Sequence, residues 1–106
     1  MKSVRFHSEA EVEMIQAASW YEATQKDLGK RFLASVQDSV TRIELNPRLF
    51  PLVQGEVRRC LTKTFPFGVL FREESQQIVV MAVMQLHREP DYWKHRTIEQ
   101  PSGTDG

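Results

Sequence analysis

The chain has 106 residues, 41% of them hydrophobic and 26% charged, with 14 acidic and 14 basic side chains and a net charge of zero. That is the composition of one globular domain, able to bury about two-thirds of its unfolded surface in a single core. Balanced charge argues against a whole-molecule field that gathers nucleic acid or anionic membrane. A single cysteine excludes an intramolecular disulfide and a paired-cysteine zinc site. No apolar run reaches the ~18 residues of a membrane span. Met1-Lys2 is followed by no apolar stretch, so no secretory leader is expected and the cytoplasm is the default compartment.

Val4 and Phe6 alternate with polar neighbours and predict a short strand over residues 2–7. Ser8, with Glu11 three residues on, reads as a capping box opening a first helix over residues 9–26. Met14, Ala17, Ala18, Tyr21 and Leu28 recur at helical spacing along it, so Trp20 and Tyr21 read as core. Asp27 is the expected cap of a second helix, whose inner face carries Leu28, Phe32, Val36, Ser39, Val40 and Ile43. Asn46-Pro47 ends it, because a residue before proline avoids the helical region. So short a link between helices predicts an antiparallel hairpin.

Leu49 to Gly55 carries two turn signals, Phe50-Pro51 and Gln54-Gly55. Three strands then follow over residues 56–64, 67–73 and 77–86, joined by links short enough to require antiparallel pairing. The last reads Ile78-Val79-Val80-Met81-Ala82-Val83-Met84-Gln85-Leu86 and must be covered on both faces. At about 1.5–3 kcal/mol per buried side chain it contributes on the order of 12–24 kcal/mol before entropy is subtracted. The expected fold is α+β, β-α-α-β-β-β, with a helical hairpin packed on a small antiparallel sheet. It forms one domain over residues 1–96, followed by a flexible tail over 97–106.

Strict alternation puts Val79, Met81 and Val83 on one side of the last strand and Ile78, Val80, Ala82, Met84 and Leu86 on the other. The hairpin covers one side. The other needs either the Tyr92-Trp93 segment or a partner. Beyond the strand stands His87-Arg88-Glu89-Pro90-Asp91-Tyr92-Trp93-Lys94-His95-Arg96, rich in the residue types that dominate binding hot spots.

Six short markers occur in order: Ala17-x-x-Trp20-Tyr21-Glu22, Leu28-Gly29-x-x-Phe32, Ile43-x-x-Asn46-Pro47, Val57-Arg58-Arg59, Phe65-Pro66-Phe67 and Arg88-x-Pro90-x-Tyr92-Trp93. With them the chain resembles the RelE/ParE superfamily of bacterial toxins over about residues 4–96, and its ParE-like, plasmid-stabilisation side most. The resemblance implies a growth-inhibiting toxin that binds DNA gyrase without catalysis and is neutralised in a hetero-oligomer with a cognate antitoxin. No cofactor and no membrane partner is expected, and His87 and His95, without carboxylates at helical spacing, point to no metal site. The target-binding candidates are Arg58, Arg59, His87, Arg88, Tyr92, Trp93 and Arg96, and the antitoxin-binding candidates are Val79, Met81 and Val83. The RelE-like alternative is a ribosome-dependent endoribonuclease acting on mRNA. Its candidate residues here are Arg59, Lys63, Arg88 and Tyr92, the types that surround a phosphate in 2′-hydroxyl attack. Gly68 or Val69 stands where those nucleases tend to carry an arginine. A third reading is an inactive family member that serves only as a binding protein.

Overall fold

The computed structural model describes residues 2–89 and 91–97. Strand β1 (Ser3–Phe6) leads into helices α1 (Ser8–Thr24) and α2 (Leu28–Leu45), then strands β2 (Leu52–Gln54), β3 (Val57–Leu61), β4 (Phe67–Glu73) and β5 (Gln77–Gln85). A 3-10 turn over Pro47–Leu49 follows α2, and another over Lys94–Thr97 closes the described part. From residue 98 onward, the expected tail lies outside the described residues.

The α+β class and the helical hairpin are as the sequence predicts, but the sheet differs in two respects. It has five strands in the order β1-β5-β4-β3-β2, and it is mixed, because β1 runs parallel to β5. Parallel pairing follows from the crossover: the hairpin returns the chain over one face before the β3–β4–β5 meander begins. Strand β2 escapes the sequence reading because it is three residues long, exposed throughout and set between Pro51 and Gly55. With no buried side it has no alternation to detect.

The hairpin is held at its turn by a residue on the opposite helix from the one expected. Asp27 is the N-cap of α2 but adopts the left-handed conformation (φ 69°), and its side chain caps nothing. Glu22, near the end of α1, does so instead. Its carboxylate accepts from the Asp27 amide at 2.9 Å and the Gly29 amide at 3.0 Å. Those amides are among the orphan donors of the helix start, where the dipole favours negative charge. The Asp27 amide chiefly, and the Gly29 amide with it, hold the Glu22 carboxyl below its ordinary range. Gly29 is required here, since a Cβ would strike the Ala18 carbonyl oxygen and lie 3.0 Å from the Glu22 Cβ. The first helix likewise lacks its expected Ser8 cap. Helix α1 starts at Ser8, and His7 is the N-cap, accepting the Glu9 amide on Nδ1 at 3.1 Å. The His7 amide itself donates to the Val80 carbonyl at 2.9 Å, so strand pairing persists up to the helix start.

Between the hairpin and the sheet lies the main core: Phe32, Val36, Val40 and Ile43 against Cys60, Phe67, Val69, Phe71, Ile78, Val80 and Val83. Tyr21, Phe32, Phe65 and Phe67 pack there with centroids 4.8–6.3 Å apart, mostly edge to face. The opposite face carries Val57, Leu70, Ala82 and Met84, sealed by Trp93, which is 2% exposed. The chain therefore covers the second face itself.

Strand β5 is not regular. Leu70 pairs with Ala82 and Phe71 with Val80, leaving Met81 without a partner. This β-bulge shifts the alternation by one residue. Before it, Ile78 and Val80 face the hairpin; after it, Val83 does. The expected antitoxin-binding trio is corrected accordingly: Val79, Met81 and Val83 do not form one face. At 1%, 1% and 2% exposure they offer no surface to a partner.

Candidate functional site

Among the described residues, the β1 edge of β5 has no neighbouring strand beyond Phe6, and side chains close part of that edge. Glu13 of α1 reaches over it. Its carboxylate accepts from the Val83 amide at 3.0 Å and from both terminal nitrogens of Arg96 at 2.9 and 3.1 Å. Arg96 also donates to the Met81 carbonyl at 3.2 Å, the group freed by the bulge. Bulge, carboxylate and guanidinium thus form one unit that ties the C-terminal segment to α1 and β5. The two charges are largely removed from water, with side-chain exposures of 6% for Arg96 and 14% for Glu13. Such a pair holds because the fork of Arg meets both carboxylate oxygens. Burial opposes the Arg96 charge, but Glu13 and Glu9 outweigh it and raise its pKa.

Tyr92 stacks in the same unit. The Arg88 guanidinium lies 4.0 Å from its ring centroid and that of Arg96 5.1 Å. Burial, then hydrogen bonding to Glu13, pushes the phenol well above its ordinary range. This is a phenol held neutral, the reverse of what a base needs. Arg88 is exposed, and among the described residues it has no carboxylate partner.

A groove of about 450 Å³ opens between α1 and this segment, lined among others by Gln16, Trp20, Tyr21, Gln85, Arg88 and Tyr92. Trp20 is 64% exposed, against the expectation of a core residue. Adjacent helical residues stand about 100° apart, so Trp20 and Tyr21 cannot both face inward; Tyr21 is the one that does. Glu13, Gln16 and Gln85 were not singled out by sequence reasoning. Glu13 stands one turn before the inward-facing Ala17, and a charge at that place on α1 is the signal that could have marked it.

Of the predicted target-binding residues, Arg88 is exposed and lines this groove, Tyr92 is half-buried within it, and His87 is exposed. Trp93 and Arg96 are corrected: at 2% and 5% exposure they hold the C-terminal segment down and present nothing to a target. Arg58 donates to the Phe50 carbonyl at 2.7 Å. Arg59 lies on the open face opposite Leu70, its aliphatic stem over Gly68 and its Nε buried without a partner. Neither joins the Arg88–Tyr92 group. The alternative catalytic set is likewise not assembled. Lys63 lies on the hairpin side, 3.9 Å from Asp38 of α2, whereas Arg59 is on the other side of the sheet. Cys60 is fully buried, and burial raises its thiol pKa. Among the described residues no three His, Cys, Asp or Glu side chains group to hold a metal, and no helix is long and apolar enough to cross a membrane.

Five strands in this order, a parallel β1–β5 pair and a hairpin on one face define an α+β fold of the ParE-like type. No protein-family model matches the sequence, and no curated protein does. Seven chains of solved structures match. One belongs to the chromosomal ParDE TA system from P. aeruginosa, at 18% identity and a TM-score of 0.62, with 81% of this chain and 97% of that chain covered.

Proposed function

We propose that this chain is the toxin component of a toxin–antitoxin pair. It binds DNA gyrase, stops growth without catalysing a reaction, and is held silent by a cognate antitoxin in a hetero-oligomer in the cytoplasm. The observation that carries this reading is the shared fold with a chain of a ParDE TA system over 97% of that chain's length. The exposed Arg88, set beside the Tyr92 ring, and the exposed His87 supply the target-facing surface in this reading. The endoribonuclease reading is the weaker one. Its cations Arg59 and Lys63 stand on opposite sides of the sheet, and the Tyr92 phenol is held protonated.

Induced expression in a bacterial host, with and without the adjacent reading frame, tests the proposal. The expected result is arrest with altered plasmid supercoiling and a DNA-damage response, relieved by the adjacent product. Arrest with new transcript ends and normal supercoiling would replace gyrase by mRNA. No arrest at confirmed expression would leave only a binding protein.

A further inference from the structure

The sheet ends on β2, and the backbone phase there follows from its neighbours. The Thr62 amide donates to the Phe67 carbonyl at 2.9 Å, which makes Thr62 opposite Phe67 a hydrogen-bonded position. Such positions recur at every second residue of an antiparallel pair, so Cys60 with Val69 and Arg58 with Phe71 are hydrogen-bonded too. Arg58 thus spends its amide and carbonyl on β4. On its other side it meets Leu52 at a wide position, in keeping with the Arg59 amide, which donates to the Pro51 carbonyl at 3.1 Å. The Leu52 amide and carbonyl therefore both point away from β3, out of the edge of the sheet, and neither has a partner among the described residues. Val53 falls in the register shift after Leu52, and Gln54 returns to Val57, so the outward-facing groups are confined to that one residue. Around it the edge is apolar. Leu45, Leu49, Leu52 and Val53 are all exposed. From Leu45 to Gly55 the only charge is Arg48, whose guanidinium lies 3.1 Å from Glu73.

We propose that this edge is an interface between two copies of the chain, paired antiparallel about a two-fold axis through Leu52. The Leu52 amide donates to the carbonyl of the same residue in the second copy, and its carbonyl accepts the amide in return. A residue that carries both free groups is complementary to itself, which is the condition a two-fold interface sets. An axis normal to the sheet keeps both hairpins on one side. Leu52 stands opposite Arg58, two residues from Cys60, and so shares the hairpin side with it; there it packs beside its own copy. No charge at this edge opposes its own copy across the axis, and the zero net charge adds no long-range repulsion. A partner that reads surfaces by charge finds nothing here to read, whereas a second copy brings the same uncharged, apolar edge. Two five-stranded sheets then join into one continuous sheet. Few residues of each copy take part, which puts the interface at the small end of the range and its dissociation constant on the order of tens of micromolar. It lies at the opposite end of the sheet from β1, and it holds whether or not the chain is a toxin.

Sedimentation of the purified full chain between about 5 μM and about 500 μM, on both sides of the expected constant, reads the association. The unsubstituted chain should pass from monomer to dimer. Leu52→Glu and Leu52→Lys should each weaken the dimer by at least about tenfold, because the axis sets each new charge against its own copy. Mixing the two variants should restore the dimer, since Glu then meets Lys, and added salt should diminish that recovery. A chain that stays monomeric throughout overturns the proposal. So does a dimer that both variants leave intact, and so do folded variants that fail to associate on mixing. Should either variant not fold, amide exchange of the unsubstituted chain decides. Exchange at Leu52 that slows with rising concentration supports the pairing, and exchange independent of concentration overturns it.

Discussion

Replacing Arg96 by Met removes the guanidinium while keeping most of the aliphatic volume, so the loss is electrostatic rather than a cavity. The wild-type side chain makes three bonds, two to Glu13 and one to the Met81 carbonyl. Breaking one side of a buried pair costs about 3–5 kcal/mol, mostly because the surviving charge is stranded. Glu13 keeps the Val83 amide and is 14% exposed, which lowers the figure to about 2–3 kcal/mol. With a urea slope of ~1.5 kcal/mol/M, the unfolding midpoint should fall by about 1.3–2 M at pH 7. Glu13→Gln in the same chain keeps an acceptor for Val83 and removes the stranded charge. The double variant should therefore be more stable than the sum of the two single losses by about 1–2 kcal/mol. A midpoint change below about 0.3 M, or strictly additive losses, would refute the idea that this pair clamps the C-terminal segment.

Trp93→Ala should destabilise by about 3–5 kcal/mol, because it uncovers Val57, Leu70, Ala82 and Met84, whereas Trp20→Ala should stay within about 0.5 kcal/mol in the same urea assay. Gly29→Ala should lose about 1–3 kcal/mol despite the better helix propensity of alanine. The obstacle is the Ala18 backbone carbonyl, and thermal melting followed by circular dichroism reads the loss. The Glu22 carboxyl, held low chiefly by the Asp27 amide, contributes stability that is complete above the ordinary 4.5 and is lost as pH falls through its lowered folded value. Glu22→Gln should therefore flatten the fall of the urea midpoint below about pH 4.5; an unchanged acid limb would exclude this cap. Both tyrosines resist ionisation, chiefly through burial, so absorbance at the phenolate band should rise only above the ordinary value of 10.0, and Tyr92→Phe should remove the later of two steps.

Hydrophobic spacing carried most of the architecture. Phe32, Val36, Val40 and Ile43 recur at helical intervals and form the inner face of α2 as predicted, and Asn46-Pro47 ends that helix. The run after Ile78 is the strand walled in on both sides. The two expected caps failed for one reason. Ser8 and Asp27 have the right chemistry for a cap, but capping is decided by which acceptor reaches the free amides, and here His7 and Glu22 accept them. The candidate site was legible only in part. Arg88 and Tyr92 were found through their neighbourhood in sequence and do meet. Arg58, Arg59 and Lys63 are close along the chain, yet the pleat and the strand end send Arg59 and Lys63 to opposite sides of the sheet.

By itself the sequence determined the order of elements, the helical hairpin, the central apolar strand and the absence of any charge surplus, because each follows from local periodicity or composition. The tertiary structure alone decided the parallel β1, the short β2, the bulge at Met81 and the Glu13–Arg96 unit. Each of these depends on atoms from segments far apart in the chain: Glu13 and Arg96 are separated by 83 residues. One unpartnered residue in a strand changes which side chains face outward, and no alternation pattern records it in advance. That single shift moved Val83 to the hairpin side of the sheet.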